Sequence, residues 1–207
     1  MKLYIAGPSP NSLRVQAVAN HVDIDLELIN VDLLAGEHLE GELAKINPNH
    51  KIPTLVDGDF VLWESTAIML YLAAGKPEAG LIPDDPKLQA KMQQWLSWNT
   101  AHFSRACGAI TWENLVKKHW MKQEVDADAL KQALEEFNRF AAVLDAHLAD
   151  NNYLLGDNIS VADHATVSFL VHAEAGDIPV KQYPHIQRWQ GGLLGSAAWQ
   201  KTLQVLQ

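Results

Sequence analysis

The spacing of apolar residues changes partway along the chain, and this change predicts two regions of different architecture. Near the amino end, the apolar run Leu3–Ala6 is followed by Gly7-Pro8-Ser9-Pro10, which predicts a strand and then a turn. A helix is expected next, capped by Asn11 or Ser12 and continuing to about His21. Strand, turn and helix in this order predict the start of a βαβ unit.

The following segment predicts a second strand and a short helix. The strand is indicated by apolar residues that recur at every second position, namely Ile24, Leu26 and Leu28. The helix is expected within the polar segment 36–47, where the residues predicted to face inward are Leu39, Leu43 and Ile46.

A β-hairpin is predicted at Thr54–Val56 and Phe60–Trp63, because Asp57-Gly58 between them tolerates the positive φ angles of a tight turn. Glu64-Ser65 then begins an apolar segment that predicts a helix to about Ala74. Glycine and proline residues beyond it interrupt the periodicity and predict a linker.

Beyond Pro86 the periodicity predicts helices only. One helical face is formed by Leu88, Met92, Trp95 and Leu96, and a longer one by Leu130, Leu134, Phe137, Ala141, Leu144 and Leu148. Ser160-Val161-Ala162-Asp163 resembles a capping box with Asp in place of Glu, and predicts a helix to about His172. A last helical segment follows Tyr183-Pro184.

Composition excludes several classes of partner. The formal net charge of −9 at pH 7 argues against nucleic acid and anionic membranes. The single cysteine, Cys107, cannot form an internal disulfide and is expected to be a buried apolar residue. Residues 1–20 lack a signal-peptide pattern, so a cytoplasmic location is predicted. No histidine spacing typical of a zinc site occurs, so no metal is expected.

Two dipeptides near the hairpin predict a site for a peptide-like ligand. Ile52-Pro53 can place a proline, in either isomer, before the first hairpin strand and leave the Ile52 backbone groups available to an extended ligand. Glu64-Ser65 lies at a helix start, where unpaired N–H groups and the helix dipole attract a carboxylate.

Taken together, these elements resemble the glutathione transferase family, and within it the serine-type theta and phi classes and bacterial relatives. The resemblance covers essentially the whole chain and includes Ser9-Pro10-Asn11 and the run 31–39. It implies an α/β plus all-α fold, with a thioredoxin-like βαβ-ββα domain at 1–76, a linker at 77–86 and an all-α helical bundle domain at 87–207. It also implies a homodimer.

The resemblance further implies roles for individual residues, with glutathione as the co-substrate. Ile52, which precedes Pro53, pairs with its cysteinyl part, and Glu64 and Ser65 bind its γ-glutamyl end. His38 and Lys51 face its glycyl carboxylate. The expected thiolate donors are Ser9, helped by Asn11, with Asn11 or Ser12 as alternatives for the main role.

The function implied is transfer of glutathione to small hydrophobic electrophiles. No cysteine lies in the first loop, and Tyr4 lies inside the first strand, so hydroxyl or amide activation of the thiol is expected. One alternative is a glutathione-dependent disulfide or peroxide reductase, because the first loop resembles Thr-Pro-Asn relatives. The other is a non-enzymatic interaction module, because fold alone does not determine function.

Overall fold

The computed structural model describes residues 1–204, which divide into two compact units. One unit consists of Met1–Ile82 and the described residues from Ser196 onward, and the other is Pro83–Gly195. Within the described range, no helix has the length and apolar character needed to cross a membrane.

The first unit contains a mixed four-stranded sheet with the order β2-β1-β3-β4. Its strands are β1 (Lys2–Ile5), β2 (Glu27–Asn30), β3 (Thr54–Asp57) and β4 (Phe60–Trp63). β1 is parallel to β2, whereas β3 is antiparallel to both β1 and β4. The predicted βαβ unit followed by a hairpin is therefore confirmed, although β2 begins three residues later than Ile24, where the alternation begins.

The helices are α1 (Pro10–His21), α2 (Gly41–Ile46), α3 (Ser65–Ala74), α4 (Pro86–Trp98), α5 (Ser104–Thr111), α6 (Ala127–Ala149), α7 (Val161–Val167), α8 (Pro184–Leu194) and α9 (Ala197–Leu203). In the first unit, α1 packs against α3 and α9. The side chains of Leu13, Val15 and Val18 on α1 are completely buried in this unit. The predicted thioredoxin-like arrangement and helical second half are both confirmed.

Two local predictions in the first unit are wrong. Helix α1 begins at Pro10 and its N-cap position is Ser9, so neither Asn11 nor Ser12 caps it, and the Ser9 side chain makes no capping bond. Leu39 does not face inward, because it ends a separate 3₁₀ turn and is 59% exposed. Glu40, in an extended conformation, separates that turn from α2, and Gly41 at the start of α2 has a left-handed φ of 72°, so the segment does not form one continuous helix.

The second unit is helical, and its long helix α6 buries Phe137, Ala141, Leu144 and Leu148 as predicted. π-Helical stretches at Asn99–Phe103 and Trp112–Trp120 flank α5. Cys107 on α5 is completely buried, as predicted, and burial raises the pKa of its thiol.

The capping box at Ser160 is present, and Asp163 accepts bonds from the Ser160 backbone and hydroxyl. The helix that it starts, α7, ends at Val167, short of the predicted His172. A 3₁₀ turn, Ser168–Leu170, follows directly.

Candidate functional site

Strand register brings the predicted site segments to one end of the sheet. Tyr4 near the end of β1 pairs with Thr54 at the start of β3, and Thr54 pairs with Trp63 at the end of β4. The loop after β1, the loop before β3 and the start of α3 therefore meet at the same end of the sheet. The segment after β2 reaches this end too, because Ile5 pairs with Asn30 in the parallel ladder.

Ser9 and Ser12 are in different environments although both lie at the start of α1. Ser12 is completely buried, and its hydroxyl accepts a bond from the Ala6 backbone N–H at 3.3 Å. Ser9 is half-buried, and its backbone carbonyl accepts the N–H groups of Ser12 and Leu13. Ser12 thus ties the end of β1 to α1, while the Ser9 hydroxyl has no capping bond to give up when a ligand binds.

Asn11 is half-buried and forms a network with residues on α1 and α3. Its Oδ1 accepts a bond from the Arg14 guanidinium and another, at 3.3 Å, from the Ser65 hydroxyl. Arg14 Nε donates to Ser65 Oγ at 3.0 Å, and Arg14 Nη2 donates to the same oxygen. The network joins the start of α1 to the start of α3.

Arg14, which supplies most of the donors in this network, is a buried cation with only 7% of the residue exposed. Burial lowers the pKa of its guanidinium to about 10, and the nearby Glu64 carboxylate opposes that change. A pKa of about 10 still leaves Arg14 protonated at neutral pH, so the site contains a fixed positive charge.

The loop before β3 is organised by the buried side chain of Asn47. Its Nδ2 donates to the Lys51 carbonyl at 2.8 Å and to Thr54 Oγ1 at 2.9 Å, and its Oδ1 accepts the Asn49 backbone N–H. The Ile52–Pro53 peptide bond that follows is cis. Since a buried amide with these partners has few alternative positions, Asn47 fixes the path of the chain into β3.

Glu64 is an exposed N-cap residue of α3 with φ at 70°, a value uncommon for a residue other than glycine. A backbone held in this region is often part of a functional site. Ser65, the first residue of α3, is only 4% exposed, so its backbone N–H and buried hydroxyl lie next to the Glu64 carboxylate along the chain. The pair offers the Glu64 carboxylate as an acceptor for an ammonium group and the Ser65 backbone N–H as a donor for a carboxylate.

His38, Lys51 and Ile52 line one cleft of about 590 Å³ in the first unit. Leu33 and Leu39 add apolar surface to it, and His50 lies beside His38 with its Nδ1 at 3.3 Å from the His38 carbonyl. His38 Nδ1 is buried and has no hydrogen-bond partner among residues 1–204. Lys51 is exposed, so its ammonium is accessible to an anionic ligand in the cleft.

Sequence reasoning did not identify Arg14 or Asn47 as part of the site. A signal for Arg14 exists in retrospect, because it lies within the fully buried stretch 12–19, where an arginine is unusual. Asn47 carries no comparable signal, since Asn47-Pro48-Asn49 is an ordinary turn composition.

Comparison with protein families places both parts of the chain. Residues 1–74 match the model of the glutathione S-transferase N-terminal domain, and residues 103–194 match that of the glutathione S-transferase C-terminal domain.

Individual relatives agree with these matches. Glutathione S-transferase 3 of Zea mays is 34% identical over 100% of this chain and 94% of its own length. Glutathione S-transferase theta-1 of Mus musculus is 30% identical over 91% of this chain and 80% of its own. The structure of glutathione S-transferase I bound with lactoylglutathione superposes with a TM-score of 0.90, at 27% identity, over 99% of this chain and 98% of that one.

Proposed function

The chain belongs to the glutathione S-transferase family, is an enzyme of the glutathione transferase type, and, we propose, conjugates the glutathione thiolate to small hydrophobic electrophiles. The observation that carries the proposal is that the loop after β1, the loop before β3 and the start of α3 meet at one end of the sheet. Two helices begin there, so both of their N-termini favour negative charge. A tripeptide with a carboxylate at each end and a thiol between them matches the groups at this end of the sheet.

In the proposed binding mode, the Glu64 carboxylate accepts the γ-glutamyl ammonium, and the Ser65 N–H at the start of α3 donates to the γ-glutamyl carboxylate. Ile52, held by cis Pro53, pairs its backbone with the cysteinyl part. Lys51 and His38 face the glycyl carboxylate, and their common cleft supports this assignment.

Ser9 is the proposed thiolate donor, and Asn11 assists it through its side-chain amide. The half-buried Ser9 hydroxyl supports this choice over Ser12, whose hydroxyl is buried and bonded to Ala6. A thiol of pKa about 8.5 is only a few per cent ionised at neutral pH. Lowering that value by about two units requires about 2.7 kcal/mol of preferential stabilisation, which one or two charge-assisted hydrogen bonds supply.

The electrophile is then attacked by a nucleophile that already carries its charge, so the mechanism needs no general base for the thiol. The thiol proton passes to solvent when the thiolate forms. The sulfur then bonds to the electrophilic carbon, and either a halide departs with the electron pair of the broken carbon–halogen bond or, in an epoxide, the broken C–O bond leaves an alkoxide that takes a proton from water. Holding both reactants in one site adds an orientation contribution to the rate. Glutathione is the only co-substrate in this proposal, and no metal takes part.

The test is an ultraviolet titration of the thiolate band of bound glutathione, combined with turnover of halogenated aromatic and epoxide electrophiles. We expect the thiolate to be present well below the pKa of the free thiol, together with conjugate formation. Turnover of a mixed disulfide without turnover of these electrophiles would instead support the reductase. Absence of glutathione binding would support an interaction module of the same fold.

The burial of Cys107 weighs against a reductase that cycles through an enzyme thiol, because such a cycle needs an accessible cysteine and this is the only one in the chain. The proposal also retains a glutathione-binding domain at 1–76, a linker at 77–86 and a helical domain at 87–207. Homodimerisation, a cytoplasmic location and a detoxification role are further parts of it.

A further inference from the structure

The side-chain amide of Asn11 is oriented by its neighbours. Its Oδ1 faces the Arg14 guanidinium and the Ser65 hydroxyl, both of which donate to it. A guanidinium has only donors, so the amide oxygen and not the amide nitrogen must face it. The Asn11 Nδ2 group therefore points away from Arg14, and no residue in the described part of the chain accepts a hydrogen bond from it.

Arg14 determines this orientation more firmly than Ser65 does. A serine hydroxyl both donates and accepts, so with Ser65 alone either end of the amide could face it. Two nitrogens of Arg14 also donate to the Ser65 hydroxyl oxygen. This directs the hydroxyl proton of Ser65 to Asn11 Oδ1. The guanidinium is buried and remains charged at neutral pH, so it holds both partners at that pH.

We propose that Arg14 is a positioning residue that fixes the Asn11 side chain with its Nδ2–H groups toward the glutathione sulfur. The inference rests on the proposed function, because it needs a thiol bound at the loop after β1. Arg14 itself does not touch the sulfur. Its effect passes through Asn11, which donates to the thiolate beside the Ser9 hydroxyl.

The first experiment is a double-mutant cycle read by the thiolate titration at saturating glutathione. Arg14→Met is expected to raise the pKa of the bound thiol by about one unit, because a freely rotating amide no longer keeps its donors on the sulfur, and to lower kcat/KM near neutral pH about tenfold. In an Asn11→Ala background the same Arg14 change is expected to have almost no further effect. An equal effect in both backgrounds, or none in either, would overturn the proposal.

A second variant, Asn11→Asp, tests the proposal even if Arg14→Met does not fold. Asn11→Asp keeps an oxygen toward Arg14 and gives the guanidinium a charged partner, so the fold should be retained. It replaces the outward N–H groups with a carboxylate oxygen, so the bound thiol should ionise at a pH higher by one unit or more. An unchanged thiol pKa in this variant would show that Nδ2 does not face the sulfur and would overturn the proposal.

Asn20→Ala is the matched control. Asn20 lies on the same helix and donates to Thr202 on α9, away from the network. Its loss should leave the bound thiol unchanged. Wild-type protein that binds glutathione without lowering its thiol pKa would overturn the proposed function along with this inference, whereas normal wild-type ionisation with an additive cycle overturns the role of Arg14 alone.

Discussion

At the scale of single residues, the two serines of the first loop provide the sharpest test of the proposed thiol activation. Ser9→Ala is expected to lower kcat/KM about 10–100-fold, because one charge-assisted hydrogen bond to the thiolate is lost. Glutathione affinity should change little, since the rest of the tripeptide is bound elsewhere. Steady-state kinetics and calorimetry measure the two quantities separately.

Ser12→Ala and Ser9→Thr complete this series. Ser12→Ala should affect stability more than the chemical step, because the Ser12 hydroxyl accepts the Ala6 N–H inside the fold. Ser9→Thr retains a hydroxyl and should recover part of the activity. If Ser9→Ala is as active as wild type, the main role passes to Asn11 or Ser12.

Replacement of Glu64, also a single-residue change, should weaken glutathione binding without changing the chemical step. Glu64→Ala removes the carboxylate proposed to accept the γ-glutamyl ammonium, so the dissociation constant of glutathione should rise about tenfold. Asp59→Ala, an exposed carboxylate in the hairpin turn, is the control for the change in net charge. Equal affinities of wild type and Glu64→Ala by calorimetry would remove Glu64 from the site.

Single residues also show what the sequence could and could not predict about the site. The backbone features at Ile52-Pro53 and Glu64-Ser65, a proline before a strand and a helix start, could be predicted because each depends on local sequence. The Arg14–Asn11–Ser65 network could not be predicted. Ser65 lies 51 positions from Arg14 and 54 positions from Asn11 in the sequence, and only packing determines the side-chain directions that bring them together.

At the scale of elements, periodicity predicted the type of each long element better than its limits. Helix α3 ends at Ala74 as expected, because its apolar period is continuous and glycine follows. Helix α7 stops at Val167 although apolar residues continue, because the backbone tightens into a 3₁₀ turn that has no sequence signal of its own.

The start of α7 depends on Asp163, whose carboxylate holds several parts of the helical unit together. It is completely buried and accepts bonds from the Leu154 N–H, Trp189 Nε1 and both donors of Ser160. Asp163→Ala leaves these donors buried without partners, so the free energy of unfolding should fall by about 3–5 kcal/mol. Chemical denaturation measures this value.

Asp157→Ala is the control variant for Asp163→Ala. Asp157 is exposed in the loop just before α7 and accepts a single bond from Asn152. Its loss should change the free energy of unfolding by less than about 0.5 kcal/mol. Similar effects for Asp163→Ala and Asp157→Ala would mean that the buried carboxylate does not stabilise the unit.

At the scale of the whole molecule, exposed aromatic side chains support the proposal that the protein forms a homodimer. Phe60 and Trp63 on the edge strand β4 are 46% and 40% exposed, and Tyr71 on α3 is 36% exposed. The rings of Phe60 and Tyr71 lie 5.2 Å apart. Neighbouring exposed rings on an edge strand and the adjacent helix form a surface that aromatic-rich protein interfaces resemble.

Phe60→Ser should therefore weaken self-association, because it removes an aromatic anchor without touching the proposed glutathione contacts. We expect wild type to sediment as a dimer at micromolar concentration and the variant to dissociate at a concentration at least about tenfold higher. Trp112→Ser removes an equally exposed aromatic ring from the helical unit and should leave the dimer intact. A monomeric wild type would refute the dimer, and a dimer weakened only by Trp112→Ser would move the interface to the helical unit.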